Sequence, residues 1–269
     1  MTVAEPVPAS SVVALRSDPE LRVLMVRRAQ RSRSWAGLWV FPGGRIEAGE
    51  SARHAALREL FEETGILLGA SVFDAASGSS VQTRAELARA RGSLNSGAVT
   101  FEQVLACLGA SVEPDRLMAW ARWVTPSAEE RRFDAQFFVC DLSGAYPGML
   151  DGASSDDLET IDSSWMVPAS VLKDYRDGRL SLAPPTLRIL EELRTCESAE
   201  VCLERAAHRP KVTILPRFLP DRSMILLPWD PQYAGTEVEG VKWPSQLGSA
   251  EFGPSRFVRG ETGWLSEDG

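Results

Sequence analysis

GRIEAGESARHAALRELFEETGI, residues 44–66, entered through Phe41-Pro42-Gly43, is the stretch whose reading decides the fold. Ser51 suits a helix N-cap, residues 52–64 contain no Gly or Pro, and Gly65 suits the left-handed position that ends a helix. The spacing predicts a helix over Ala52–Thr64. At roughly 100° per residue, Glu59, Glu62 and Glu63 share an arc of about 100°, whereas Leu57, Leu60 and Phe61 turn the other way, towards a core. Ala52, Ala55 and Ala56 share the acidic side and are expected to leave room above the carboxylates. Three like charges on one stripe repel, and hard divalent cations with oxygen preference remove that cost. The stripe therefore reads as a Mg²⁺ or Mn²⁺ site, with Arg58 placed to hold a carboxylate. A solvated acidic helix face is the plain alternative.

The fixed points of this stretch are Gly44, Glu50, Arg58-Glu59-Leu60, Glu62-Glu63 and Gly65-Ile66. Their identities and spacing resemble the signature of the Nudix family at every position. The resemblance implies an α/β fold, the Nudix α/β/α sandwich, with a mixed sheet between the box helix and the C-terminal helices. It also implies divalent-metal-dependent hydrolysis of a diphosphate linked to another moiety. Carried over, the metal ligands are Glu59, Glu62, Glu63 and the Gly43 carbonyl, and Glu62, Glu63 and Arg58 belong to the catalytic set. The general base is expected from a later loop: Glu159 precedes Trp165 by six residues, with Asp156 and Asp157 as neighbours that could serve instead.

Positive charge gathers just before this acidic helix, at Arg27, Arg28, Arg31, Arg33 and Arg45, in a chain of net charge −8. Guanidinium forks suit phosphate oxygens, so Arg27, Arg28, Arg33 and Arg45, with Gly44, are the candidate substrate-binding residues. Ordinary edge-strand charge is the alternative for any one of them. Leu24–Ala29, Arg33, Gly37 and Phe41-Pro42-Gly43-Gly44 resemble the spacing of coenzyme A diphosphatases, with Met25-Val26 where that group usually has Leu-Thr. ARWVTP, RRFDAQFF and APPT (Ala183–Thr186) resemble the peroxisomal branch of those enzymes and its bacterial relatives. The resemblance covers roughly residues 10–195 and implies coenzyme A or acyl-coenzyme A as substrate. The alternatives are an ADP-ribose, NADH or dinucleotide diphosphatase, or a Nudix-fold nucleotide sensor without catalysis. Within the family, ADP-ribose hydrolases tend to carry a Pro shortly after the box and diadenosine polyphosphate hydrolases a Tyr there, whereas here no Pro lies between Pro42 and Pro114 and the first Tyr is Tyr146. Against the sensor, the box glutamates are all present.

The rest of the chain sets bounds. Its 269 residues, 44% hydrophobic, suffice for one large or two modest domains. The acidic balance argues against broad nucleic-acid or anionic-membrane binding. Cys107, Cys140, Cys196 and Cys202 form no metal or disulfide spacing, so reduced thiols and a cytoplasmic setting are expected. No signal peptide, membrane span or peroxisomal tripeptide is read. The organisation expected is a flexible leader over 1–10, a Nudix domain over 11–210 and an extension over 211–269. Within the domain, a helical insertion at about 69–122 should hold helices at Thr83–Arg91, Thr100–Leu108 and Asp115–Ala121, and Ile66–Leu68 reads as a short strand. The extension ends in a hairpin around Arg259–Gly263. It could pack on its own domain, close the site or reach the second subunit of a homodimer.

Overall fold

The computed structural model describes residues 4–29, 36–70, 73–74, 79–80, 84–143, 160–219, 221, 223–233 and 252–268. The chain runs β1 (Val7–Ser17), β2 (Leu21–Arg28), β3 (Trp39–Val40), β4 (Gly43–Arg45) and α1 (Ala52–Thr64). The insertion follows, with β5 (Gly69–Ala70), β6 (Phe73–Asp74), β7 (Ser79–Ser80), α2 (Arg84–Asn95), α3 (Phe101–Leu108) and β8 (Ser111–Val112). Next come β9 (Met118–Val124), β10 (Phe133–Asp141), β11 (Thr160–Met166), α4 (Pro168–Arg176), α5 (Pro184–Leu193) and α6 (Ala199–His208). The chain closes with β12 (Thr213–Ile214), β13 (Arg217–Phe218), β14 (Met224–Leu226), β15 (Arg256–Arg259) and β16 (Trp264–Glu267).

The period-2 alternation of two long strands gives the molecule its layers. β1 and β10 lie side by side and parallel, in a mixed sheet of order β11-β2-β1-β10-β9-β12, with β3 added on β2 and β4 on β1. Val13 and Leu15 of β1 join Phe137 and Val139 of β10 on one face, under α4, α5 and α6. Val12 and Ala14 join Phe138 and Cys140 on the other face, under Leu57 and Leu60 of α1. The α/β/α sandwich expected from the sequence is the fold observed. A third cluster joins Phe61 of α1 to Leu94, Phe101 and Val104, so the helical repeat of α3 packs the insertion onto the box helix.

Three local expectations differ. Residues 7–10 belong to β1, because Val7 N–H bonds Arg132 O at 2.9 Å and the strand pairs with β10 from Val7 onward, so the leader is shorter than read. The helix expected over Asp115–Ala121 is a single 3₁₀ turn at Pro114–Arg116 followed by β9. A bulge opposite Phe137 and Phe138 makes Trp120 the extra residue and breaks the strand's period-2 pattern, which is why the segment reads as helical. Pairing at the end of α1 starts at Gly69, not Ile66. Gly69 lies so close to Ser111 that an added Cβ would come within 2.9 Å of Val112 Cα.

The extension rests on the same core. β13–β16 form a four-stranded antiparallel sheet, and Ile225, Leu227 and Phe257 join the cluster under α4 and α5. Buried Arg188 donates to Pro254 O at 2.6 Å and lies over the Phe257 ring, 5.2 Å from its centroid. Tyr175 O–H donates to Trp264 O at 2.9 Å, and a Cβ on Gly263 would meet the Tyr175 ring, with Cζ at 2.8 Å. The hairpin expected around Arg259–Gly263 is present, closed by Gly260 N–H on Gly263 O at 2.7 Å. Phe257 is fully enclosed, so Phe257→Ala should cost about 3–5 kcal/mol. Urea unfolding should show that loss in one cooperative transition. A separate early transition would mean that the extension folds as its own unit.

Candidate active site

Local chemistry places α1 as the sequence implies. Ser51 Oγ accepts from His54 N–H at 3.2 Å, and Gly65 ends the helix at φ 76°. Ser10 of β1, buried beneath the helix, donates through Oγ to Ala52 O at 2.6 Å. Ala55 and Ala56 are fully enclosed. The alanines therefore do not clear space over the carboxylates as expected. Their small size lets α1 lie close on β1 and β4.

The register of β4 explains the double glycine. Val12 N–H bonds Pro42 O at 2.8 Å and Ile46 N–H bonds Pro8 O at 3.0 Å. Gly43 thus faces Ser11 at a position where its own N–H and C=O turn away from β1. That N–H donates to Glu63 Oε2 at 3.0 Å. Gly44 faces the helix, and a Cβ there would strike the Glu59 carboxylate, with Cδ at 2.5 Å. The missing side chain of Gly44 thus makes room for Glu59.

Arg58 is the centre of the arrangement. Its Nε and Nη2 bind Glu50 Oε1 and Oε2, each at 3.0 Å. Nη1 reaches Glu59 Oε1 at 2.8 Å and Glu62 Oε2 at 3.2 Å, and Nη2 also reaches Arg45 O at 2.9 Å. Burial works against its charge, but the Glu50 bonds and the charges of Glu59 and Glu62 prevail, and its pKa is raised. Burial would raise the Glu50 carboxyl as well. Arg58, the Glu47 N–H and His54 outweigh it and hold Glu50 below its ordinary value. Glu62 goes the other way: burial, helped by Glu47 and Glu50, raises its pKa against the pull of Arg58. Glu50 was not singled out from the sequence as a site residue, although its place among the fixed points was a usable signal.

Of the described arginines, Arg27 and Arg28 lie on opposite faces of the sheet. β2 alternates, so Arg27 lies on the face of Met25, with α4–α6, and Arg28 on the face of Leu24, with α1. Arg27 Nε is enclosed without a hydrogen-bond partner among the described residues. Arg45 pairs with Ala9 and is exposed, and it contributes its carbonyl to Arg58. Gly37 N–H bonds Arg28 O at 3.1 Å. Arg31, Arg33, Asp156, Asp157 and Glu159 lie outside the described residues.

The donor set suits a hard cation: three carboxylates and a backbone carbonyl, all oxygen, with Glu62 desolvated. Among the described residues, no three acidic, His or Cys side chains converge as a ready cage. Glu59 and Glu62 are drawn instead onto Arg58. Replacing Arg58 by Met would leave buried carboxylates unpaired and should cost about 3–5 kcal/mol at pH 7. In that variant the carboxylates without a guanidinium bind protons more readily folded than unfolded, so stability rises as pH falls. The deficit against wild type should narrow between pH 7 and pH 5 in thermal or urea unfolding. A deficit independent of pH would mean that packing of the Arg58 stem, not its charge, holds the site.

Comparison with known proteins agrees with this geometry. The family model of the NUDT19 Nudix domain matches residues 50–193, more than half of the chain. The acyl-coenzyme A diphosphatase NUDT19 of Xenopus laevis is 24% identical over 240 residues, 68% of this chain and 61% of its own length. Its namesake from Gallus gallus is 29% identical over 169 residues, 58% of this chain and 43% of its own. The match therefore spans less than two thirds of these relatives. A crystal structure of a Nudix hydrolase from Alicyclobacillus acidocaldarius is 26% identical, with a TM-score of 0.63 over 76% of this chain and 97% of that one. With the glycine pair, the Arg58 hub and the glutamate stripe in the places that the box requires, the chain belongs to the Nudix family, in the group of the NUDT19 Nudix domain.

Proposed function

We propose that the chain is a Nudix hydrolase that cleaves the diphosphate of coenzyme A or acyl-coenzyme A. Water would be consumed, and 3′,5′-ADP and (acyl-)4′-phosphopantetheine released. The observation that carries the reading is the Arg58-bound glutamate stripe set against the Gly43–Gly44 strand. Bound at Glu59, Glu62, Glu63 and the Gly43 carbonyl, Mg²⁺ or Mn²⁺ would neutralise diphosphate charge and acidify a water. Gly43 N–H fixes one carboxylate oxygen of Glu63, and Arg58 fixes Glu59 and Glu62 with the stripe's repulsion relieved. Glu159, which precedes β11 in the sequence, is the proposed general base, and Arg33 the proposed phosphate contact. The narrower substrate rests on the two similar proteins named acyl-coenzyme A diphosphatases and on the spacing of Arg33, Gly37 and the FPGG turn. We further propose a catalytic unit over 11–210 with the insertion at about 69–122, 211–269 as an extension, and a cytoplasmic setting.

Glu63→Gln keeps an acceptor for Gly43 N–H but removes an anionic ligand. Turnover should fall ~10³-fold or more with the fold retained. A folded variant with near-normal Mg²⁺-dependent turnover would remove Glu63 from the metal set. The substrate class is tested on acyl-coenzyme A, dephospho-coenzyme A, ADP-ribose, NADH and dinucleoside polyphosphates. Wild type should prefer coenzyme A species, and Arg33→Ala should raise KM for coenzyme A tens-fold, from the roughly 1.5–3 kcal/mol of a lost charged hydrogen bond. Equal weakening on all substrates would mean that Arg33 supplies general charge only. Preference for ADP-ribose or a dinucleotide would replace the coenzyme A reading.

A further inference from the structure

The last turn of α1 leaves carbonyls beyond the reach of the backbone ladder. Phe61 O accepts Gly65 N–H at 2.8 Å, and Leu60 O accepts Thr64 Oγ1 at 2.5 Å. Ile66 N–H, the donor that would have continued the ladder to Glu62, goes to Thr64 Oγ1 at 3.2 Å. The Glu62 carbonyl is met from outside the helix. Arg91 Nε donates to it at 2.8 Å and Asn95 Nδ2 at 3.2 Å. Both sit on α2, four residues apart and so on one face. Leu87 and Leu94 pack the same helix into the cluster around Phe61, and Arg91 itself is only 8% exposed. A buried guanidinium here also lies at the negative end of the α1 dipole.

We propose that Arg91 and Asn95 are positioning residues for Glu62, and that the insertion serves as the C-cap of the catalytic helix. The proposal rests on Glu62 being a metal-holding glutamate of the proposed hydrolase. The backbone grasped by α2 is that of the stripe residue that Arg58 binds by the longer contact, 3.2 Å against 2.8 Å for Glu59. The position of that carboxylate therefore depends on its own backbone as well as on Arg58. A shift of about 1 Å at such a group costs on the order of 100-fold in rate.

Arg91→Met keeps length and apolar stem but removes the donor. It should lower kcat roughly 10-fold, a fraction of that misplacement effect, with KM for the coenzyme A substrate within about twofold. Mn²⁺ binding, measured by calorimetry without substrate, should weaken in parallel, and Arg91→Lys should recover most of both. Asn95→Leu, which removes the longer bond, should move both readouts the same way by less, and it decides the question if Arg91→Met does not fold. Lower melting temperature with wild-type kcat and Mn²⁺ affinity in these variants would overturn the proposal and leave a purely structural contact. If wild type hydrolyses nothing in the panel, the functional reading fails on its own. The Mn²⁺ titration of wild type against variant still tests the positioning.

Discussion

One buried guanidinium holds the site together. Arg58 spends its N–H groups on three carboxylates and one carbonyl, so α1, the Glu50 turn and β4 meet at a single side chain. Lysine could not replace it, because a point charge with three donors cannot span a bidentate Glu50 contact and a helix stripe at once. Without that cation, Glu50, Glu59 and Glu62 would be neighbouring anions in a partly desolvated space. The acidic stripe is tolerable in the fold because Arg58 is folded in with it.

The neighbouring glycines and alanines follow from the same constraint. For Arg58 to reach Arg45 O, β4 must lie against the helix, and Gly44 clears the volume that the Glu59 carboxylate fills. Ala55, Ala56 and the Ser10–Ala52 bond let β1 approach as closely. Small residues here serve packing distance. The raised pKa of Glu62 expresses the same crowding: its anion is under-served by the protein, which is the electrostatic condition that a bound cation relieves.

The two additions to the sandwich act on opposite sides. The insertion packs on Phe61 and reaches the end of α1. The C-terminal sheet covers α4 and α5 from the other face through Arg188, Tyr175 and Phe257. A further anchor joins α5 and the end of α6 to β9: Arg209 holds both oxygens of Glu192 at 2.8 Å, and the Trp120 indole donates to the same carboxylate. Among the described residues, buried Arg91 of the insertion bonds Glu62 O and buried Asp230 of the extension pairs with Arg256, as burial demands.

The sequence by itself determined the box helix, its caps, the sandwich and the identity of the glutamate stripe. The helix and its caps rest on local spacing, since Ser51 and Gly65 act within one turn, and the sandwich rests on the resemblance of the box to the Nudix signature. Tertiary structure alone decided which carboxylates Arg58 binds, since Glu50 lies off the helix and its approach depends on the turn after β4. It decided that residues 118–124 are a strand, because a bulge against β10 erased the alternation that would have announced it. It also separated Arg27 from Arg28, which a count of charge along the chain had grouped, since neighbours on a strand face opposite sides of the sheet. The grip of Arg91 and Asn95 on Glu62 likewise joins residues 29 and 33 positions apart, and only the packing of α2 on Phe61 brings them within hydrogen-bonding reach.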